Sequence, residues 1–145
     1  MDRIDKILNH DLFLYHLGRN NAAEADRRFC RHGMVHFLDV ARIGTIIALE
    51  EGFKVDREWI YAAALLHDCG KHEQYENGIP HEQASARIAP EILKDCGFDD
   101  KETDVIVTAI SRHRDPGAAK EKNLNGVLYR ADKASRACFC LLYTS

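Results

Sequence analysis

No stretch of the chain approaches the ~18 consecutive apolar residues a membrane span needs, and Met1-Asp2-Arg3-Ile4 shows no basic segment leading into an apolar one. Both absences point to a cytoplasmic protein that crosses no membrane. Proline is scarce, with 3 against 9 glycines, and there is no low-complexity tract or internal repeat, which argues against disorder. A basic excess is missing too. With 20 Lys and Arg against 23 Asp and Glu, the formal net charge of -3 disfavours a broadly basic nucleic-acid surface, while leaving room for a local basic patch. The five cysteines, Cys30, Cys69, Cys96, Cys138 and Cys140, form no CxxC pair, and their odd number reads as buried thiols and not as a disulfide framework. Sustained alternation of apolar and polar residues is absent, so strands are not expected.

What the chain does have is helical periodicity along its whole length. Its 145 residues are enough for one core, which at this size buries about two-thirds of the surface of the unfolded chain. The expectation is a single all-α domain over residues 1–139, a bundle of about six or seven helices, with Cys140-Leu-Leu-Tyr-Thr-Ser145 read as a non-native tail. The first helix is expected over about residues 2 to 17, ending at Gly18, with Asn20-Asn21 capping a second that ends near Gly33. A third spans about 34 to 51 before Gly52. Asp56 caps a fourth, which delivers His67-Asp68 in its last turn and stops at Gly70. The stretch from Glu73 to Pro80 reads as turns around Asn77-Gly78, and the helix starting at Pro80 as interrupted by Pro90. Asp99-Asp100 cap the next helix, Asp115-Pro116-Gly117 end it, and a last one begins near Leu124 with Gly126 weakening its first turn.

Six titratable residues fall on the apolar stripes of these helices, Asp68 as the chain neighbour of His67. His36 is in line with Val40, Ile43 and Ile47; His67 with Ile60 and Ala64; His81 with Ala84, Ser85 and Ile88. His113 follows Ile106, Ala109 and Ile110, and Asp132 follows Leu128 and Ala131 ahead of Ser135. Burying so many imidazoles and carboxylates without compensation would cost several kcal/mol. A divalent metal supplies it, since neutral imidazole and ionised carboxylate are both ligands for first-row ions. His67 and Asp68 point about 100° apart on their helix. The histidine can thus bind one ion while the two carboxylate oxygens bridge to a second, at the ~3.5–4 Å spacing of two-metal sites.

His36, then His67-Asp68, then Asp132, each on its own helix, resembles the H…HD…D signature of the HD-domain superfamily of metal-dependent phosphohydrolases. The stretch His67-Asp-Cys-Gly-Lys71 is similar to that family's HD-x-G-K wording, and the resemblance covers about residues 30 to 136. It implies that His36, His67, Asp68 and Asp132 hold one metal and that His81 and His113, in the places of two further family histidines, add a second. It also implies hydrolysis of a phosphate ester or anhydride in a small, nucleotide-like substrate by a metal-activated water. Asp68 and Lys71 are then the catalytic candidates, Lys71 holding a substrate phosphate as a point charge. Arg112, Arg114, Arg130, Lys133 and Arg136 could form a phosphate-binding rim. The cofactor is expected to be one or two divalent ions of iron, manganese, zinc, cobalt or nickel.

Blander readings stand beside these. His32 could replace His36 as a ligand, and His81 could be only a first-turn residue. His10, His16 and His72 read as surface or interface residues, while Glu24, Arg28 and Cys30 sit where a substrate could be contacted. Cys138-Phe-Cys140 could begin a second metal motif. The whole could be a nucleotide-sensing or metal-binding regulatory module without turnover, or a domain tied by one structural metal.

Overall fold

The computed structural model describes residues 1–25 and 33–135, and among them every regular element is helical. The chain opens with α1 (Asp2–Leu8) and α2 (Asp11–Ala23), where one helix and the start of another were expected. The break falls at Asn9-His10: the Asn9 side chain donates to Asp5 O at 2.8 Å, and His10 Nδ1 accepts the Leu12 N–H at 3.1 Å. Side chains thereby satisfy backbone groups that two helix ends would leave orphaned. Gly18 lies inside α2 and ends nothing, and Asn20, expected as a cap, is a buried mid-helix residue.

α3 (Met34–Glu51) closes on Gly52, whose φ of 71° is the left-handed C-cap glycine favours. α4 (Arg57–Leu66) starts at Asp56, whose carboxylate accepts the Glu58 N–H at 2.8 Å, and every residue from Ala62 to Leu66 is buried. The turn-rich stretch is instead a short helix, α5 (Lys71–Asn77), packed between α2 and α6, and Asn77-Gly78 ends it. α6 (His81–Asp95) runs straight through Pro90. The proline forfeits one helical hydrogen bond, but Ile88 and Ala89 before it and Ile92 and Leu93 after it are all buried, which keeps both halves on the bundle.

α7 (Asp100–Ser111) begins with a full capping box, Asp99 and Glu102 each accepting the other's backbone N–H. A 3-10 turn (Pro116–Lys120) leads to α8 (Leu124–Ser135). Gly126 fits the start of α8 for a steric reason: a Cβ there would lie 1.9 Å from Glu121 O. α4 is the central post, touching α1, α3, α6, α7 and α8, so its C-terminal end lies where most of the bundle converges. The far side is tied by Arg3, which donates to Glu58 at 3.0 Å and Glu102 at 2.8 Å while Trp59 Nε1 donates to Glu102 at 2.6 Å.

Candidate metal centre

α4 ends at Leu66 and the backbone turns over residues 67–70 before α5 begins. That turn carries His67 and Asp68 into the middle of the bundle, where both are fully buried. His36 comes from the first turn of α3, His81 starts α6, His113 follows α7, and Asp132 comes from the last turn of α8. All six expected residues meet at one place, as two groups that share Asp68: His36, His67, Asp68 and Asp132, and Asp68, His81 and His113.

The two oxygens of Asp68 divide between the groups. Oδ2 lies 3.4 Å from His36 Nε2 and 3.3 Å from His67 Nε2, while Oδ1 lies 3.3 Å from His81 Nε2 and 3.5 Å from His113 Nε2. Asp132 Oδ1 completes the first group at 3.3 Å from His36 Nε2 and 3.4 Å from His67 Nε2. These gaps are long for hydrogen bonds yet match neighbouring ligands around one ion with bonds of about 2.1 Å. In the second group, His81 and His113 bring their Nε2 atoms to 3.1 Å.

The outer ring nitrogens fix which atom faces inward. His67 Nδ1 donates to Ala64 O at 2.6 Å, His113 Nδ1 to Ile110 O at 2.7 Å, and His81 Nδ1 to Gln74 Oε1 at 2.7 Å. Each Nδ1 thus keeps a proton and points Nε2 inward, the atom a metal binds once its ring is neutral. His67 Nε2 and both oxygens of Asp68 are buried without a hydrogen bond among the described residues. Polar atoms so placed are costly unless something else satisfies them. The donor set of imidazole nitrogens and carboxylate oxygens fits a divalent transition ion, so the residues are able to hold a metal.

Electrostatics separate the two groups. Burial opposes charge on Asp68 and Asp132, but His67 and the other facing histidines hold the Asp68 carboxyl well below the usual range, and His36 and His67 do the same for Asp132. In return, against burial, Asp68 and Asp132 push His67 up to about 10 and raise His36. His81 moves the other way, down to about 3: burial dominates, and the charges of Lys71 and Arg114 add to it against the pull of Asp68.

Lys71 opens α5, is buried, and holds its Nζ 5.9 Å from the Tyr75 ring centre. The basic rim is not assembled as expected. Arg112 pairs with Asp115 at 3.1 Å and with Glu121, and Arg130 pairs with Glu51, so both are engaged on the surface. Arg114 is exposed beside the second group, and Lys133 lies over the Tyr129 ring. His16 and His72, expected as surface or interface residues, are a buried stacked pair with His16 Nδ1 2.8 Å from His72 Nε2. Burial and the neighbouring His72 lower His16 to about 4. Cys69 and Cys96 are buried free thiols, and burial pushes Cys69 up to about 12. Arg28, Cys30, His32, Arg136, Cys138, Cys140 and the rest of the expected tail lie outside the described residues.

Two residues carry the site without having been singled out from the sequence for it. Asn20 donates from Nδ2 to Asp68 O at 2.9 Å and accepts the His72 N–H at 2.8 Å, and Gln74 Oε1 holds His81. Neither has a sequence signal: Asn20 reads as a helix cap, and Gln74 falls in a stretch that reads as loop.

The HD-domain family model matches residues 33–137. A protein of Clostridium beijerinckii without an assigned function is 48% identical over 138 residues, covering 95% of this chain and 86% of its own. Another such protein, from Methanocaldococcus jannaschii, is 32% identical over 100 residues, 66% of this chain and 53% of its own. Among solved structures, the crystal structure of a predicted HD superfamily hydrolase from an uncultured Thermotogales bacterium superposes with a TM-score of 0.63 at 28% identity. The match covers 83% of this chain and 66% of that one.

Proposed function

Because the chain belongs to the HD-domain family of metal-dependent hydrolases, we propose that it hydrolyses a phosphate ester or anhydride of a small, nucleotide-like substrate at a two-ion centre. One observation carries this reading: Asp68 turns its two oxygens to two different sets of ligand atoms, 3.3–3.5 Å away. A closed structural site uses few ligands around one ion. Here six side chains form two groups around one shared carboxylate.

His36, His67, Asp68 and Asp132 would hold one ion, and Asp68, His81 and His113 the other, with iron, manganese, zinc, cobalt or nickel suited to so many imidazoles. Bound divalent ions supply Lewis-acid polarisation of a phosphoryl oxygen and lower the pKa of water toward neutrality. The chain's own part is to aim lone pairs. Ala64 O, Ile110 O and Gln74 each fix a ring so that its Nε2 faces Asp68. The second group has fewer protein ligands than the first, so an ion held there would keep more coordination positions open for water and substrate. Lys71, at the adjacent start of α5, holds a substrate phosphate as a point charge.

Turnover of bis(p-nitrophenyl) phosphate and p-nitrophenyl phosphate by Mn2+-loaded protein, followed by a panel of nucleotides, tests the assignment. Activity that disappears in Asp68→Ala is the expected result. Metal uptake with no turnover of any of these compounds would identify a regulatory module instead.

A further inference from the structure

The backbone between α4 and α5 breaks at the residue that the two groups share. In an unbroken helix the Asp68 carbonyl would accept the His72 N–H, its partner four residues on. Here they are parted, and both turn to Asn20: the carbonyl accepts Nδ2–H at 2.9 Å and the His72 N–H donates to Oδ1 at 2.8 Å. The bonds left across the turn are the tighter ones from Cys69, Lys71 and Glu73 to residues three positions earlier. A side chain inserted into the helical ladder is a recognised cause of a sharp bend. Asn20 is fully buried, on the inner face of α2, and its amide uses a donor and its acceptor on this single job.

The bend decides where α5 goes, and α5 carries Gln74. From there Gln74 Oε1 meets His81 at its ring Nδ1, 2.7 Å away, and at its backbone N–H, 3.1 Å away. His81 in turn directs Nε2 to Asp68 Oδ1. The His36–His67–Asp132 side shares only Asp68 with this run of contacts, its other ligands coming from α3, α8 and the end of α4, and neither Gln74 nor α5 touches them by a hydrogen bond among the described residues. α2 also precedes the family-matched segment, which starts at residue 33.

We propose that Asn20 is a positioning residue for the Asp68–His81–His113 half of the centre: its carboxamide stands in for the missing Asp68–His72 hydrogen bond, sets the bend into α5, and so keeps Gln74 on His81. The inference rests on the reading that this half takes the second of two ions. Removing a group that orients a metal ligand commonly weakens binding about 10–100-fold. The loss here falls on one ion only, which a general loss of stability would not produce.

The test is calorimetric titration of metal-stripped protein with Mn2+, on the parent, Asn20→Ala, Gln74→Leu and the double variant. The parent takes up two ions; Asn20→Ala weakens one by about ten-fold or more and leaves the other within about two-fold. Gln74→Leu has the same selective effect, and the double variant is little worse than either, because both act through His81. Asn20→Asp, which still accepts from His72 but cannot donate to Asp68, carries the test if Asn20→Ala does not fold. With two ions in the parent, equal weakening of both in the Asn20 variants, or of neither, overturns the role of Asn20. A parent that takes up a single ion, unaffected by His81→Ala, overturns the two-ion reading and this inference with it.

Discussion

Asp68 is asked to face two sets of histidines, and the charges around it decide what it costs to bring in a metal. Without metal, Asp68 and Asp132 push His67 up to about 10 against burial, which favours a second proton on this ring near neutral pH. Ligation requires a neutral imidazole. Metal uptake near pH 7 must therefore expel a proton from His67, and affinity should rise with pH until the approach to 10, where His67 is already neutral. Calorimetry in buffers of different ionisation enthalpy checks the sign; uptake without proton release would contradict the protonation described. The ligands were legible in the sequence because each interrupts an apolar stripe where an unpaired charge could not survive. Asn20 and Gln74 were not, because the value of an amide there depends on a backbone break that exists only in three dimensions. His16 and His72 were missed for a related reason: two imidazoles hydrogen-bonded to each other need no charged motif to mark them.

The elements bring the ligands close through tight packing at one glycine. Gly70 sits where α6 crosses the turn, and a Cβ there would lie 2.7 Å from both Ala84 Cβ and the Ser85 backbone nitrogen. Its own N–H donates to Ser85 Oγ at 2.9 Å. Gly70→Ala must push α6, and His81 with it, away from Asp68. The expected cost is about 1–3 kcal/mol, the range for overpacking, read as a lower denaturation midpoint, with metal uptake reduced at the same time. An unchanged midpoint would show that α6 yields freely. At the opposite end, Arg3 joins α1 to α4 and α7 through Glu58 and Glu102. Arg3, opposed by partial burial and aided by Trp59, lowers Glu102 from 4.5 to about 2. A depressed carboxyl stabilises fully above its unfolded value, so this contribution is present above about pH 4.5 and is lost as pH falls toward 2. Arg3→Ala should cost about 1–2 kcal/mol at neutral pH and much less near pH 2, which urea unfolding at the two pH values would reveal. Helix ends set by recognisable caps, Asp56, Asp99 and Gly52, lie where the sequence puts them. The split between α1 and α2 and the helix α5 were unreadable, since one rests on a histidine acting as a cap and the other on packing against α2 and α6.

For the whole molecule, the all-α class follows from unbroken helical periodicity, and the fold gathers ligands from both ends of the chain around the end of α4. Metal binding is then coupled to the stability of the bundle. Loading should raise the free energy of unfolding by about 2.7 kcal/mol per ion at free-ion concentrations near 100 Kd, with chelator reversing the gain in a thermal melt. No helix among the described residues is long and apolar enough to cross a membrane. On the proposed function, Asp68 is shared by two ion sites of unequal make-up. Metal content per chain by elemental analysis, on the parent and on Asp68→Ala, His36→Ala and His81→Ala prepared alike, tests it most directly. About two ions are expected in the parent, about one in His81→Ala and in His36→Ala, and essentially none in Asp68→Ala. One ion in the parent, retained in His81→Ala, would contradict it.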